Sequence, residues 1–260
     1  MSELKFNIPR SLLSDNKLLR RQFLDEYFPS GLIPFEQGMG SDWEIIAFTP
    51  IDSHYYVDPN IDETLKKWQH SVSIENIGNY RSFYKNSMIS FYDSWSTYFW
   101  SLLSSYLWNN QGERPTSYTL LHIDDHKDLS SPLIVQDSEG YHSLLTNETV
   151  YFFDTSSIEH AIISKSIGID SFITPLLISS QSLDIYHLRY AYKNNPNRHY
   201  IEVIQKTDTL LSQEEKRIHL KLCNNPTPYS YSISNGSFCL KDEINQHSVV
   251  LLHFDCDAFI

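Results

Sequence analysis

Two segments of the sequence end a run of strand-forming apolar residues with closely spaced acidic side chains. The first is LLHIDDHKDL at residues 120–129, and the second is LLHFDCDAFI at residues 251–260. In each segment two leucines, a histidine and a large apolar residue precede an aspartate. Strands that are apolar on both faces belong to parallel sheets covered by helices, and ligands bind beyond their carboxyl ends. The two segments therefore predict a parallel sheet with acidic residues gathered at one edge.

The rest of the chain alternates between strand-like and helix-like segments. The predicted strands are residues 43–48, 87–92, 118–124, 149–153, 170–177, 200–205 and 248–255, and the predicted helices are residues 94–108, 156–168 and 212–223. The last two helices begin with the Ser-x-x-Glu spacing of a capping box. Asn235 and Gly236 predict a tight hairpin turn. This alternation predicts an α/β fold of three layers, α-β-α, around a mainly parallel sheet.

The composition limits the expected compartment and partners. With 260 residues, of which 41% are hydrophobic, the chain can bury a full core. We expect residues 1–80, which are polar and rich in Tyr, Asp and Pro, to form an extension packed on a main domain at 81–260. The formal net charge of −12 disfavours nucleic acid and anionic membranes and favours cationic partners. Since the sequence has no signal-like start and no long apolar run, we expect a cytoplasmic protein.

The residue types after the two apolar segments are those that bind hard metal ions. Asp124, His126 and Asp128 alternate at the end of the first segment, beyond its apolar residues. Asp255 and Asp257 take the same place in the second segment. Carboxylate oxygens with one imidazole nitrogen suit Mn²⁺ better than soft metals, and two ions would neutralise this many carboxylates. The alternative is that each acidic strand end caps the helix that follows it.

A histidine lies two residues before the first aspartate of each segment. His122 and His253 therefore lie on the same side of their strands as Asp124 and Asp255. They are candidates for hydrogen-bonding partners of the metal ligands or for core residues.

The order D-x-H-x-D followed downstream by D-x-D resembles the arginase and agmatinase superfamily of binuclear manganese hydrolases. The sequence more closely resembles a divergent branch of this superfamily, which includes the peptide arginases that convert arginine side chains of ribosomally made precursor peptides to ornithine. Residues 156–177, SSIEHAIISKSIGIDSFITPLL, resemble the helix-loop-strand between the two metal motifs of that branch. The resemblance covers residues 87–260 and implies an arginase/deacetylase-like fold.

The resemblance also implies a role for each candidate ligand. Asp124 and Asp255 would bridge two Mn²⁺ ions. Asp128 would bind one of these ions, and His126 and Asp257 would bind the other.

The family's remaining ligand, a histidine near the start of an earlier helix, has no direct counterpart. The corresponding segment reads FYDSWSTYFW, and Asp93 is the nearest replacement. Ser94, His54 and His70 are the alternatives.

Two further groups complete the chemistry in arginases. A histidine beyond D-x-H-x-D passes a proton to the leaving amine, and His142, 14 residues after Asp128, matches it. Arginases also hold the guanidinium with a glutamate well after D-x-D, whereas only residues 258–260 follow Asp257 here. That carboxylate would come from the N-terminal extension, a neighbouring subunit or a longer natural chain.

These features lead to an expected activity, the manganese-dependent hydrolysis of arginine side chains in a precursor peptide to ornithine and urea. The apolar residues 133–135 follow D-x-H-x-D, where arginases for the free amino acid need polar groups, so a peptide substrate is favoured. Hydrolysis of free arginine or another small guanidino compound is one alternative. A one-metal deacetylase-like enzyme and a peptide-binding protein without activity are the others. A homo-oligomer is compatible with the sequence, and neither nucleic acid nor a membrane is expected as a partner.

Overall fold

The computed structural model describes residues 4–28, 32–48, 59–68, 72–189, 197–212, 214–234 and 248–255. The α-helices in these ranges are α1 Lys17–Tyr27, α2 Ile61–Trp68, α3 Ser94–Gln111, α4 Thr155–Ile163 and α5 Thr174–Ser179. None of these helices is both long enough and apolar enough to cross a membrane. The hairpin turn predicted at Asn235 and Gly236 lies outside the described residues.

The strands form three sheets. A three-stranded antiparallel sheet contains β1 Leu4–Pro9, β2 Ile33–Met39 and β3 Asp42–Phe48, and a hairpin contains β4 Arg81–Tyr84 and β5 Ser87–Ser90. The third sheet has eight strands, β6 Ser117–Ile123, β7 Ile134–Gln136, β8 Tyr141–Ser143, β9 Ser182–Leu188, β10 Asn197–Thr207, β11 Lys216–Cys223, β12 Tyr229–Ser234 and β13 Val249–Phe254.

The eight-stranded sheet is mixed. Its strand order is β13-β6-β9-β12-β10-β11-β7-β8. The first four strands in this order pair in parallel, and the pairings from β12 to β8 are antiparallel. The expected three-layer α-β-α fold with a mainly parallel, arginase/deacetylase-like sheet is therefore wrong.

The exposure pattern of β13 shows one reason for this difference. The sequence VVLLHF is almost entirely apolar, yet Val250, Leu252 and Phe254 are more than half exposed. Leu251 and His253 are buried. Since side chains alternate between the two faces of a strand, only one face of β13 is covered within the described chain. The apolar run did not signify burial on both faces.

Several local predictions are confirmed and others are wrong. The structure has strands within residues 43–48, 87–92, 118–124, 200–205 and 248–255 and helices within residues 94–108 and 156–168. Within residues 149–153, Thr149 forms an isolated bridge with His142 and residues 152–153 form a turn, and residues 170–177 run into the first part of α5. Pro175 lies in the first turn of α5, where its fixed φ favours a helix.

The predicted helix at 212–223 is replaced by β11. Eight residues of β11 pair with β10, from Lys216 opposite Thr207 to Cys223 opposite Tyr200. The Ser-x-x-Glu spacing before it does not cap a helix, because Glu215 continues the strand pairing by accepting the Asp208 N–H with its carbonyl at 2.8 Å. Strand pairing thus decides the conformation of a segment whose local sequence also suits a helix.

The main core lies between α3 and the parallel half of the large sheet. Trp95 and Trp100 of α3 are almost fully buried, and Trp100 contacts the ring of Phe172 at 5.6 Å between centroids. The same tryptophan packs its ring edge-on against His253 at 6.4 Å. The core therefore surrounds the histidine that the second apolar segment carries.

The N-terminal elements pack against loops of the large sheet. Leu133 and Leu210 belong to the same buried cluster as Ile8 and Leu24. Tyr27 of α1 donates its hydroxyl proton to the Asp208 carboxylate at 2.6 Å. The expected domain boundary near residue 80 stays a prediction.

Arg217 of β11 joins these two parts of the chain. Its guanidinium is buried and donates to the backbone carbonyls of Tyr27, Ser131 and Pro132 at distances of 2.7–2.9 Å.

We expect Arg217→Met to lower the free energy of unfolding by about 2–4 kcal/mol, because three buried acceptors lose their donors. Urea denaturation measures the difference. The neighbouring exposed Lys216→Met should stay within about 0.5 kcal/mol of the wild type, and equal losses in both variants would contradict the role of Arg217.

Candidate metal centre

The two repeated LLH segments are neighbours in the sheet. Strand β13 pairs in parallel with β6 so that Leu251 lies opposite Leu120 and His253 lies opposite His122. On the other side of β6, β9 brings His187 opposite His122. The imidazole centroids are 5.0 Å apart between His122 and His253 and 4.8 Å apart between His122 and His187. Three histidines therefore form a row across three adjacent parallel strands.

Hydrogen bonds orient the first two rings of this row. His122 Nε2 lies 3.1 Å from the His126 carbonyl oxygen, which can only accept, so the network assigns a proton to Nε2. His122 Nδ1 is then an acceptor for His253 Nδ1 at 3.0 Å. Burial, followed by the neighbouring His253 and His187, holds the pKa of His122 well below its usual value. His122 is therefore neutral at physiological pH.

The third ring of the row, that of His187, supports the backbone of the loop at residues 124–129 after β6, which we call the acidic loop. His187 Nε2 donates to the Asp124 carbonyl oxygen at 2.8 Å, and its Nδ1 accepts from the Tyr231 hydroxyl. Burial lowers the pKa of His187, which favours the neutral ring that this arrangement requires. The position of Asp124 thus depends on a buried His187–Tyr231 pair.

Two aspartates are buried beside the histidines. Asp124 is 1% exposed and Asp128 is 6% exposed. Asp124 Oδ1 accepts the backbone N–H of His126 at 2.6 Å. The loop returns to the cluster because Asp128 has a φ of 50°, a left-handed conformation that aspartate tolerates better than most residues.

One oxygen of Asp128 lacks a hydrogen-bonding partner. Its Oδ2 is buried and receives no hydrogen bond from the described chain. His122 Nε2 lies 3.5 Å away, but its proton points to the His126 carbonyl. Burial, followed by the adjacent Asp124, raises the pKa of the Asp128 carboxyl to about 10. A buried carboxylate in this position needs either a proton or a cation.

The buried cluster of His122, Asp124, Asp128 and His253 could hold a metal ion. One potential ligand atom from each of these residues lies within 4.8 Å of the others. A second set with the same spacing contains Asp124, His126 and Asp255. The unpartnered Asp128 oxygen fits a cation, since carboxylates and imidazoles are common ligands of divalent metals.

A cleft of about 720 Å³ opens beside this cluster. Its charged lining consists of the aspartates 93, 125, 128, 170 and 255 and of Lys127, Arg189 and Lys221. Its apolar lining consists of Leu129, Ile169, Ile201, Leu220 and Leu222. Arg189 Nε donates to Asp125 Oδ1 at 2.6 Å, so one of the basic side chains is held by an acid of the same loop.

Most of the predicted ligands meet at this cleft. Asp124, His126, Asp128 and Asp255 lie in the two candidate ligand sets. Asp93 lies just before α3, and its Oδ1 is 3.3 Å from His253 Nε2. Asp257 and the alternative ligands His54 and His70 lie outside the described residues. Ser94, the other alternative, is buried in the first turn of α3.

The structure does not bring His142 to the cleft. His142 lies in β8, which is the edge strand opposite β13 in the eight-stranded sheet. Its Nε2 lies 3.2 Å from Asp137 Oδ1 at that edge. The prediction for His142 rested on its spacing of 14 residues after Asp128 and on the resemblance, and its catalytic role stays a prediction.

Sequence reasoning missed three residues around the cluster. His187 ends the strand SLDIYHL with a histidine in the same position as in LLHI and LLHF, and this third copy of the pattern was a usable signal. Arg189 and Asp170 line the cleft without any motif around them. Only the sheet order and the loop before α5 bring those two residues to the site.

No protein-family model matches the chain, and no curated protein matches its sequence. The relation to the arginase and agmatinase superfamily therefore stays a resemblance of two short motifs.

The raised pKa of Asp128 predicts how the stability of the metal-free protein varies with pH. Between about pH 4, the value for an unfolded carboxyl, and the folded pKa of about 10, the folded state binds one more proton. Its stability therefore falls as the pH rises through this window. Asp128→Asn, which carries no titrating proton, should be more stable than the wild type at pH 8, and this advantage should shrink towards pH 5.

Thermal unfolding in the presence of a chelator measures this dependence. Glu139→Gln, a substitution at an exposed carboxyl, is the matched control and should follow the wild type. An Asp128→Asn variant that loses stability at pH 8 would show that the carboxyl is ionised in the folded protein.

Proposed function

We propose that the chain is a metal-dependent hydrolase that converts arginine side chains of a peptide to ornithine and urea. The observation that carries the proposal is the buried Asp128 oxygen without a hydrogen bond, which lies beside Asp124 and two histidines at the end of an open cleft. A cation at this position would relieve the repulsion between the two carboxylates. A cytoplasmic location is part of the same proposal.

Two ions, with Mn²⁺ as the proposed metal, are supported by the shared ligand. Asp124 belongs both to the buried set with Asp128 and to the more exposed set with His126 and Asp255. A carboxylate common to two neighbouring sets would help to hold both ions. Oxygen ligands with some imidazole nitrogen suit Mn²⁺ among the divalent metals.

The chain supplies a cleft suited to a cationic side chain. The aspartates 93 and 170 can hold a guanidinium group, and the apolar residues beside them can cover its methylene groups. Bound divalent ions would lower the pKa of water and so supply a nucleophile at neutral pH. In the reaction, water adds to the guanidinium carbon, the bond from that carbon to the side-chain nitrogen breaks, and the departing amine takes up a proton. His142 is left out of this scheme, because it is not among the residues that line the cleft.

Free arginine is a second candidate substrate. Lys127, Lys221 and Arg189 line the same cleft and could bind the carboxylate of a free amino acid. The acidic groups would then hold the guanidinium at the other end. Direct comparison of the two substrates separates these possibilities.

Metal content tests the proposed centre. After loading with Mn²⁺ and removal of excess metal, the wild type should retain about two ions per chain, by analogy with other binuclear sites. Asp124→Ala should lose both ions because it removes the shared ligand, whereas His126→Ala should lose mainly the more exposed one. His142→Ala is the matched control and should keep the wild-type content. Equal metal content in Asp124→Ala and the wild type, measured by elemental analysis, would refute the centre.

Product analysis tests the proposed reaction. Each converted arginine lowers the peptide mass by one cyanamide unit and releases one urea. We expect conversion of an arginine-containing peptide by the Mn²⁺-loaded protein, and a decrease of at least about 10²-fold in Asp124→Ala. Release of urea from free arginine with peptides left unchanged would favour the second candidate. If the metal-loaded protein binds the peptide and hydrolyses neither substrate, the hydrolase is refuted and a peptide-binding function is favoured.

A further inference from the structure

One edge of β11 is open beside the cleft. Strand β11 pairs with β10 along all of residues 216–223, but β7 pairs only with Lys216 and Arg217 on the other side. From residue 218 onwards, no strand of the described chain continues that pairing. Leu220, Lys221 and Leu222 line the cleft next to the candidate metal centre. The open edge and the cluster therefore belong to one cavity.

The alternation of the ladder shows which main-chain groups point to the open side. Asp208 N–H donates to the Glu215 carbonyl at 2.8 Å, so these residues form a hydrogen-bonded pair at the end of the β10–β11 ladder. Hydrogen-bonded and non-hydrogen-bonded pairs alternate in antiparallel strands. The N–H and C=O groups of Lys221 and Cys223 consequently point to β10, and those of Leu220 and Leu222 point away from it.

The loop after β6 approaches the first part of this edge. Ser131 Oγ lies 3.0 Å from His219 Nδ1, and the Ser131 and Pro132 carbonyls accept from Arg217. These contacts end at residue 219. Two residues, Leu220 and Leu222, thus present four main-chain hydrogen-bonding groups on the side that lines the cleft.

We propose that an extended basic peptide binds by adding as a strand to this edge of β11. The main-chain groups of Leu220 and Leu222 would pair with the peptide backbone, in line with β7. A side chain of the peptide would then project towards the aspartates 128 and 255. Strand addition of this kind provides affinity through the backbone and leaves specificity to pockets for alternate side chains.

Charge favours a basic occupant of the cleft. Five aspartates line it against three basic side chains, one of which, Arg189, is paired with Asp125. The whole chain has a net charge of −12, which attracts cationic peptides and repels a second acidic copy of the chain. Lys221 also lies on this strand, and an edge lysine discourages pairing between identical edges.

The proposal rests on the proposed function only for the nature of the peptide. Backbone pairing itself predicts a distinct observable, because amide protons that gain a hydrogen bond exchange more slowly with solvent. The probe is the peptide acetyl-Thr-Val-Arg-Val-Thr-amide, added to the full chain loaded with Mg²⁺, which is diamagnetic. By NMR, exchange of the Leu220 and Leu222 amides should slow, while Lys221 and Cys223, already bonded to β10, should not change. Unchanged exchange at Leu220 and Leu222 with the peptide bound would overturn the proposal.

Methylated peptides provide a second test that does not alter the protein. Two versions of the probe carry N-methyl groups on alternate amides, so that only one version removes the donors facing β11. That version should bind about tenfold more weakly, since each lost hydrogen bond has a modest net effect, and the other should bind as the parent does. Equal affinities of the two versions would contradict strand addition.

A proline substitution tests the same edge from the side of the protein. Leu222→Pro removes an outward N–H, and Leu222→Ala is the matched control that keeps this N–H while also losing the leucine side chain. We expect the proline variant to bind the peptide more weakly than the alanine variant does, with circular dichroism checking that both variants fold. Slowed exchange of the Leu220 and Leu222 amides, with no hydrolysis by the Mn²⁺-loaded protein, would support strand addition and refute the proposed hydrolase. Hydrolysis of the peptide with unchanged exchange of these amides would support the hydrolase and refute strand addition.

Discussion

The parallel register between β13 and β6 is the constraint on which the candidate site depends. It places His253 opposite His122, and the aspartates that end the two strands consequently leave the sheet side by side. Because side chains alternate along a strand, a shift of one residue would turn His253 to the exposed face and bring Phe254 into the core. The neighbouring strand β9 extends the same arrangement with His187. The similarity of the two LLH segments is thus a similarity of neighbours in one sheet.

The burial of so many polar groups in one place requires a balance of charge. His122 and His187 are held neutral by burial, and their protons are directed at backbone carbonyls of the acidic loop. The rings therefore orient the loop without compensating its negative charge. Besides burial, the neighbouring Asp124, Asp93 and Asp170 raise the electrostatic cost of ionising Asp128. A protonated Asp128 resolves this conflict in the absence of a cation, and a bound cation resolves it by replacing the proton.

The acidic loop and its strand could be predicted from the sequence, because residue types change abruptly where β6 ends. The overall topology could not, since the apolar strand β13 has one exposed face that its composition conceals. The local sequence of β11 predicts a helix, and its pairing with β10 depends on tertiary contacts that a local pattern cannot show. His142 was placed by distance along the chain, whereas β7 and β8 carry it to the far edge of the sheet. Short motifs thus indicated which types of residue form the candidate site, and the strand order determined which individual residues are brought together there.

The His122–His253 contact joins residues 131 positions apart. Contacts of such separation close a long loop, and proteins rich in such contacts fold more slowly than those with local contacts. The cluster cannot exist in a partly folded chain in which β13 is still detached, even when the loop after β6 has taken its shape. Assembly of the candidate ligand set therefore requires the pairing of β13 with β6, which brings His253 to the residues of the first segment.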